Sequence, residues 1–462
     1  MEKEKTAEQL FEEKVEEIIE LIVDKKYIKA RDLLLNNNEV DIAEILEDIL
    51  EEVDPERAVI LFRMLPKDVS VEVFSYLQAE DQKSIIKVIT DKEINYIIEE
   101  LDFDDKIDVL EELPANLVDK ILEKTPKNER KQINTFLNYP DNCAGTLMTP
   151  DYINLRSDMT VREALDHIKE VGMDKETVYT CYVTTFGRVL YGIISLRTLV
   201  VSPDDMPIKE LLHTDFVSVN VYDDREEVSE AFTKYGFLAI PVEDKEKRLV
   251  GIITVDDIFD VIEEETTEDI ERMAGVMDSS DRGYLNLSVG QHVKNRLPWL
   301  FILMCSYTVT GGFIAKFEDS LSSMICLVAY MPMLMGTGGN SGAQSATLVI
   351  RGLSVGDIDL KDVLKVLWKE IRISFFIGIV LSILNFLRII YIDHHGTWVA
   401  FTVCIAMLII IVIAKALGSM LPLLAKKIGI DPALMASPLI SSITDMISVV
   451  IYVFMAAWIL NI

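Results

Sequence analysis

The chain has 462 residues, of which 50% are hydrophobic and 26% are charged, and its formal net charge is −31. A chain of this length exceeds one core and favours about three domains of roughly 100 to 200 residues each. The charge is unevenly divided, because residues 1–290 carry a formal charge of −34 and residues 291–462 carry +3. The acidic first part excludes a nucleic-acid partner, since a phosphate backbone needs a basic surface.

The N-terminal part contains a repeat in which apolar residues recur at intervals of 12 or its multiple: Leu65, Leu77, Ile89, Leu101, Leu113 and Leu137. Proline residues at 66, 114 and 126 follow the same phase, and proline marks the start of a helix. We therefore expect residues 1–138 to form an acidic, all-α helical-repeat N-domain that serves as a scaffold. The first 20 residues lack the apolar run of a secretory signal, so we expect this domain in the cytosol.

A second repeat predicts two α/β units, residues 139–203 and residues 204–261. Each copy has the order β-α-β-β-α and closes on Gly-Ile-Ile followed by Ser195 or Thr254. This order resembles the CBS domain, which occurs as a tandem pair and commonly senses adenosine nucleotides or metal ions.

The resemblance to CBS domains implies a nucleotide site in the second copy, where Thr254 and Asp257 match the ribose-binding Thr-x-x-Asp of that family. ATP is therefore an expected ligand. The first copy has Ser195 and Thr198 at these positions and lacks the acid. Thr254 and Asp257 also fit a helix N-cap and its capping-box partner, and the two roles are compatible.

The last part of the chain contains five nearly uncharged apolar stretches: 297–315, 320–350, 373–392, 396–414 and 432–462. A bilayer span needs about 20 mostly apolar residues, so residues 291–462 are predicted to form a five-helix transmembrane domain in contact with lipid. Residues 262–290 are predicted to form a connecting helix. The fourth stretch approaches Lys415, which we expect to snorkel to the cytoplasmic interface rather than join an intramembrane ion pair.

Basic residues concentrate at three places, before the first stretch, between the second and third, and between the fourth and fifth: Lys294, Arg296, Arg351, Lys361, Lys365, Lys369, Arg372, Lys426 and Lys427. The positive-inside rule then places the N-terminus in the cytosol and the C-terminus outside.

The second apolar stretch combines glycines with polar side chains at membrane depth, including Gly336, Gly339, Asn340, Gln344 and Ser345. Glycines alone would favour close helix packing. The neighbouring amide and hydroxyl groups favour a polar pathway lined by this segment.

The fifth stretch contains the candidate ion site. Four-residue steps place Ser437, Ser441 and Asp445 on one helix face, and Asp431 before Pro432 predicts an N-cap. An acid in an apolar span is costly and by default marks an ion path. The alternative is a buried acid held by hydroxyl groups of a neighbouring helix. Carboxylate, hydroxyl and carbonyl oxygens suit Mg²⁺, and two symmetry-related copies of Asp445 would strengthen the site.

The combination of these domains resembles the MgtE family of magnesium transport proteins over nearly the whole chain. The motifs that carry the resemblance are Tyr139-Pro-Asp-Asn-Cys-Ala-Gly145-Thr-Leu-Met148-Thr-Pro150, Glu265-Thr-Thr-Glu268-Asp269-Ile270, Arg296-Leu-Pro298-Trp299-Leu300, the segment from Gly336 to Ser345, and Asp431-Pro-Ala through Asp445. The resemblance implies a homodimeric Mg²⁺-selective channel in the cytoplasmic membrane. It matches Asp445 with the family's pore aspartate and places Ser437 and Ser441 at pore-facing positions.

The resemblance also implies regulatory Mg²⁺ sites on acidic residues of the cytosolic part: Asp257, Asp260, Glu265, Glu268 and Asp269, with Asp104 and Asp108 of the N-domain facing them. The alternative is a solvated acidic face. At low intracellular Mg²⁺ the like charges would repel, and bound Mg²⁺ would compact the domains and move residues 262–287 to close the pore.

Three other functions remain open. The same oxygen ligands would suit a transporter of another divalent cation, such as Co²⁺ or Mn²⁺. A membrane-bound enzyme is disfavoured because the chain has no P-loop, zinc-binding His-Glu motif or nucleophile elbow. A metal receptor would bind Mg²⁺ without transporting it. The five cysteines lack metal-finger spacing, and His394 and His395 are predicted to lie in a loop.

Overall fold

The computed structural model of the chain describes residues 7–53, 55–185, 187–277, 284, 287–316, 325–435 and 437–460. Contacts divide it into two compact units, Met1–Phe259 and Asp260–Ile462. Each unit has its own apolar cores.

The N-terminal region of the first unit is entirely helical where it is described. Its helices are α1 Ala7–Val23, α2 Tyr27–Leu34, α3 Glu39–Glu52, α4 Pro55–Phe62, α5 Lys67–Tyr76, α6 Ala79–Val88, α7 Asp91–Glu100, α8 Phe103–Glu112, α9 Ala115–Lys124 and α10 Lys127–Phe136.

Helices α5 to α10 begin every 12 residues, as the apolar repeat predicts. The repeating apolar residue is the one that ends each helix, and it is buried in the shared core at Leu77, Ile89, Leu101 and Leu113. A short helix cannot bury its apolar face alone, so neighbouring helices complete one continuous core. The helical-repeat prediction is confirmed for these helices.

The rest of the first unit contains two small sheets of like topology. Their elements are α11 Ala144–Leu147, β1 Tyr152–Arg156, α12 Val161–Val171, β2 Thr177–Thr184, β3 Leu190–Ser195, α13 Leu196–Val201, β4 Val219–Asn220, α14 Arg225–Tyr235, β5 Ala239–Glu243 and β6 Leu249–Thr254. In each sheet the first two strands pair in parallel and the last two pair antiparallel. The predicted β-α-β-β-α order is therefore present in both copies.

The helix after β6 is α15, Val255–Ala274, which runs on without a break from the second copy. The predicted connecting helix of residues 262–290 is thus helical to Ala274, and Gly275 follows with φ +75°. Residues 278–283, 285 and 286 of that prediction lie outside the described residues.

The second unit continues with five long helices and one single-turn helix, α17, among its described residues: α16 Val289–Lys316, α17 Ile325–Val328, α18 Met331–Ser354, α19 Val363–Tyr391, α20 Thr397–Lys427 and α21 Ser437–Leu460. A short 3₁₀ helix, Pro432–Met435, precedes α21.

Four segments of the described chain are long and apolar enough to cross a membrane: Val289–Ala315, Leu360–Tyr391, Thr397–Lys427 and Pro432–Leu460. Helix α18 has 24 residues, or about 36 Å, and thus has the length to cross as well. Its glycine, serine and asparagine residues make it less apolar than the other four. The predicted number of five spans therefore stays a prediction.

Candidate functional site

Asp445 lies in the third turn of α21 and is half-buried. Its carboxylate accepts a hydrogen bond from the hydroxyl of Tyr307 on α16, and that tyrosine is 47% exposed. One position earlier on α16, Ser306 is hydrogen-bonded to Ser442 at 2.5 Å. The alternative prediction, a buried acid held by hydroxyl groups of a neighbouring helix, thus agrees with the structure at one hydroxyl, that of Tyr307. Among the residues that the structure describes, Tyr307 is the neutral donor to Asp445, and such a donor does not compensate a negative charge.

Ser441 lies one turn before Asp445 and faces the glycine segment of α18. A Cβ atom added to Gly339 would lie 3.2 Å from the Oγ of Ser441, and one added to Gly338 would lie 2.8 Å from the Oγ of Ser448. These glycines therefore allow α18 and α21 to approach closely. The structure brings Ser441 and Gly339 together, as the sequence predicts for one site.

The other predicted residues of α18 lie on a different face. Gly336, Asn340 and Gln344 follow each other at four-residue steps and are exposed in the second unit. A Cβ atom added to Gly336 would meet nothing within 4 Å. Polar amide groups on an exposed face of an apolar domain are costly in lipid, so this face suits water or a second copy of the chain. The side chain of Ser437 lies outside the described residues.

The prediction that Lys415 snorkels to the interface is wrong. Lys415 is 4% exposed, and its Nζ lies 3.2 Å from the Oγ of Ser345 and 3.8 Å from Glu370. The sequence does not mark Glu370 as the partner, because Glu370 lies three residues before the third apolar stretch, which begins at residue 373. An ammonium group this deeply buried needs a carboxylate partner, and α19 supplies it.

A cluster of carboxyl groups lies within the first unit, between α8 and the two sheets. Asp104 and Asp108 were predicted there, and Asp105, Glu176 and Asp257 join them electrostatically. One oxygen of Asp104 is buried and has no hydrogen-bond partner. The cluster thus brings N-domain acids and CBS acids together.

Burial is the first cause of raised pKa values in this acidic cluster, and repulsion between its members is the second. Burial and Asp105 raise the pKa of Asp104 to about 7, and burial and Asp104 raise that of Asp257 to about 7. Burial and Asp105 raise the pKa of Asp108 to about 8. Burial and Asp104 raise the pKa of Glu176 to about 8. Ionised carboxylates are therefore disfavoured here unless a cation compensates them.

Thr254 and Asp257 form the helix cap that the sequence predicts. The Thr254 hydroxyl donates to the carboxylate of Asp257 at 2.6 Å, and the backbone N–H of Thr254 donates to it as well. Thr254 is buried. The cap holds Asp257 at the start of α15, where its carboxylate also faces Asp104.

A second acidic group lies within the second unit. The guanidinium of Arg272 on α15 forms ion pairs with both Glu268, one turn earlier, and Asp431, before the 3₁₀ helix. The other carboxylate oxygen of Asp431 accepts from the backbone N–H of Ala433 at 2.8 Å, which is the predicted N-cap contact. Arg272 thereby links the end of α15 to the start of the last membrane segment.

Asp269 belongs to this second acidic group. The pKa of Asp269 is raised to about 6, first by burial and then by the charge of Asp431, while Arg272 lowers it. Glu265 also interacts electrostatically with Asp269. Asp260 lies on α15 and has polar interactions of its own. Asp431 is predicted from the sequence only as a helix cap, and no sequence pattern marks Arg272.

No three histidine, cysteine or acidic side chains within the described parts of the chain are placed to hold one metal ion together. The two acidic groups are therefore charge concentrations and not closed chelation sites. Hydrated Mg²⁺ keeps several of its waters and is bound through one or two carboxylates, so such groups still suit it.

Family models match three regions of the chain. The model described as a divalent cation transporter, MgtE, matches residues 331–455, and that of the MgtE intracellular N domain matches residues 37–142. The CBS domain model matches residues 144–203 and 208–264.

Characterised relatives match most of the chain. It is 34% identical over 432 residues to the magnesium transporter MgtE of Thermus thermophilus, covering 90% of this chain and 95% of the relative. It is 31% identical over 417 residues to the magnesium transporter MgtE of Bacillus subtilis, covering 87% and 91%. A crystal structure of the cytosolic domain of the Mg²⁺ channel MgtE in complex with ATP is 31% identical, covering 53% of this chain and 98% of that chain, with a TM-score of 0.49.

Proposed function

Because the chain belongs to the MgtE family of divalent cation transporters, which are membrane transport proteins and not enzymes, we propose that it is a Mg²⁺-selective channel for magnesium uptake. The observation that carries the proposal is the half-buried carboxylate of Asp445 within an apolar helix. The buried ammonium group of Lys415 is engaged with Glu370 and Ser345. Asp445 therefore keeps its charge for a passing ion.

The exposed face of Gly336, Asn340 and Gln344 supports a homodimer in the cytoplasmic membrane. One carboxylate and a few hydroxyl groups per subunit cannot dehydrate Mg²⁺, but two copies around an axis can bind its largely hydrated form. The proposed orientation has a cytosolic N-terminus and an external C-terminus.

Uptake of Mg²⁺ into proteoliposomes tests the proposal. Asp445→Ala is expected to lower uptake at least about tenfold, because the charge that attracts the ion is removed. Asp357→Asn, an exposed acid in the connection between α18 and α19, is the matched control and is expected to keep normal uptake. Full uptake by Asp445→Ala would remove that residue from the ion path. Competition by Co²⁺ or Mn²⁺ at equal concentration would decide selectivity, and equal transport would favour the alternative cations.

The proposed regulation is feedback closure by intracellular Mg²⁺. The raised pKa values of Asp104, Asp108 and Asp257 support it, because they mark carboxyl groups that lack a compensating cation. Mg²⁺ would neutralise them and hold the N-domain against the CBS pair. Helix α15 starts beside this cluster and would carry the change toward the channel. Uptake that does not slow as internal Mg²⁺ rises would contradict feedback.

ATP is the proposed nucleotide of the second CBS copy, supported by the pairing of Thr254 with Asp257. Titration of ATP into the full chain and its Asp257→Ala variant tests this role. Unchanged affinity would leave the two residues with the helix cap alone.

A further inference from the structure

Three helices of the second unit meet at a buried ionic network. Ser345 on α18 donates its hydroxyl proton to Glu370 on α19 at 2.6 Å, and Lys415 on α20 donates to the Ser345 oxygen at 3.2 Å. Lys415 and Glu370 lie 3.8 Å apart and form an ion pair. Ser345 is fully buried, and the other two are less than 10% exposed. The network lies within one subunit and needs no partner chain.

The members of this network lie within a few turns of their helix ends, as Asp445 does. At 1.5 Å per residue, Glu370 is about 10 Å from the start of α19 and Asp445 is about 12 Å from the start of α21. Ser345 is about 14 Å from the end of α18, which the chain joins to α19 by a short connection. Lys415 is about 18 Å from the end of α20, which leads into α21.

Gly342 on α18 lies between the buried ionic network and the candidate ion site. A Cβ atom added to Gly342 would lie 3.1 Å from the carbonyl oxygen of Ala414 and 3.5 Å from the methyl group of Thr444. Ala414 precedes Lys415 and Thr444 precedes Asp445 in the chain. Gly342 itself lies one turn before Ser345. The charged network and the candidate ion site therefore contact two sides of the same turn of α18.

We propose that Glu370 and Lys415 are positioning residues whose pairing sets the net charge beside Asp445, and thus the electrostatic potential that a passing ion meets. This role goes beyond the transport activity of the family. Paired, they hold α18 against α19 and α20 and leave no net charge beside Asp445. A surplus charge at this depth would act strongly on a divalent ion, because the apolar surroundings screen it weakly. Retaining such a costly pair in an apolar domain also marks it as functional. The inference rests on the proposed cation transport.

The test is the external Mg²⁺ concentration that gives half-maximal uptake into proteoliposomes. Glu370→Gln leaves the positive charge of Lys415 and is expected to raise this concentration roughly tenfold. Lys415→Met leaves the negative charge of Glu370 and is expected to lower it by a similar factor. The double variant Glu370→Gln with Lys415→Met is expected to return to within about twofold of the unaltered chain. Lys415→Arg keeps the charge and is the conservative control.

A purely structural role predicts a different pattern. Both single variants would then lower the melting temperature in detergent, and the half-saturating concentration per folded protein would not move. That pattern overturns the proposal, as does a failure of both single variants to fold while the double variant behaves normally. If the unaltered chain carries no Mg²⁺ at all, the proposed function fails instead, so the two failures are distinguishable.

Discussion

At the scale of single residues, the ion site depends on which group faces Asp445. Sequence spacing identified Asp445 and Ser441 because both lie on one helix at four-residue steps. It could not identify Tyr307, which comes from a helix more than 120 positions away and has no spacing relation to Asp445. The partner of Lys415 was missed for the same reason, since Glu370 and Ser345 belong to other helices. Contacts between helices are set by packing, which a local pattern does not contain.

In the proposed ion path, the hydroxyl of Tyr307 would compete with cations for the carboxylate of Asp445. Tyr307→Phe removes the hydroxyl donor. We expect the external Mg²⁺ concentration for half-maximal uptake to fall about threefold, because the ion no longer has to displace the hydrogen bond between Tyr307 and the charged Asp445. Uptake assays in proteoliposomes measure this. Tyr391→Phe, at the exposed end of α19, is the control. A loss of uptake in Tyr307→Phe would instead make the hydroxyl part of the ion path.

At the scale of helices, the sequence was most informative where packing repeats. The 12-residue interval predicted α5 to α10 because every helix end contributes the same buried residue to one core. The start of α18 was less predictable. The apolar stretch at 320–350 is continuous in sequence, but the structure has a short helix at residues 325–328 and a turn at residues 329–330 before α18 begins. Apolar composition indicates which residues lie within the membrane, but it does not indicate where a helix begins.

Helices α18 and α20 are expected to depend on a glycine contact. A Cβ atom added to Gly418 would lie only 2.1 Å from the carbonyl oxygen of Gly342, so Gly418→Ala must separate the two backbones. We expect a loss of about 1 to 3 kcal/mol, seen as a lower melting temperature in detergent. Gly336→Ala meets no atom within 4 Å and is the matched control. It should be neutral or slightly stabilising, because alanine favours helices. Equal melting of the two variants would contradict close packing.

Helix α15 is linked to the last membrane segment by Arg272, which occupies the place where a regulatory cation would act. Arg272→Gln leaves Glu268 and Asp431 without their cation, so we expect Mg²⁺ to bind there more readily and to slow uptake at a several-fold lower internal concentration. Uptake at graded internal Mg²⁺ measures the change. Arg272→Lys keeps the charge and should behave normally. A higher inhibitory concentration in Arg272→Gln would mean that the ion pairs themselves hold the closed state.

At the scale of the whole molecule, the acidic composition explains why Mg²⁺ and protons should compete. Residues 1–290 carry a formal charge of −34, which exceeds the −31 of the whole chain, and the structure concentrates part of it in the cluster of α8 and the CBS pair. The sequence predicted Asp104 and Asp108, but not Asp105 or Glu176. Glu176 directly precedes β2 and is distant in sequence from α8, so only the folding of the chain brings it near Asp104.

Proton release on Mg²⁺ binding follows from this cluster. Its carboxyl groups have pKa values raised to about 7 for Asp104, about 8 for Asp108 and about 8 for Glu176. The folded chain therefore binds more protons than the unfolded chain, and the stability that these protons provide is complete below about pH 4 and lost as the pH rises through 7 to 8. Mg²⁺ binds the ionised form, so its affinity should rise from pH 6 to pH 8 and its binding should release protons at pH 6.5.

Calorimetric titration of the full chain with Mg²⁺ in two buffers of different ionisation enthalpy counts these protons. We expect about one or more protons released per chain at pH 6.5 and fewer at pH 8.5, where the carboxyl groups are already ionised. Asp108→Asn should reduce the count, whereas Asp41→Asn, an acid in the first turn of α3 that is remote in sequence from the cluster, should not. A proton count of zero at pH 6.5 would show that Mg²⁺ binds elsewhere, and the cluster would then be an acidic surface without a regulatory ion.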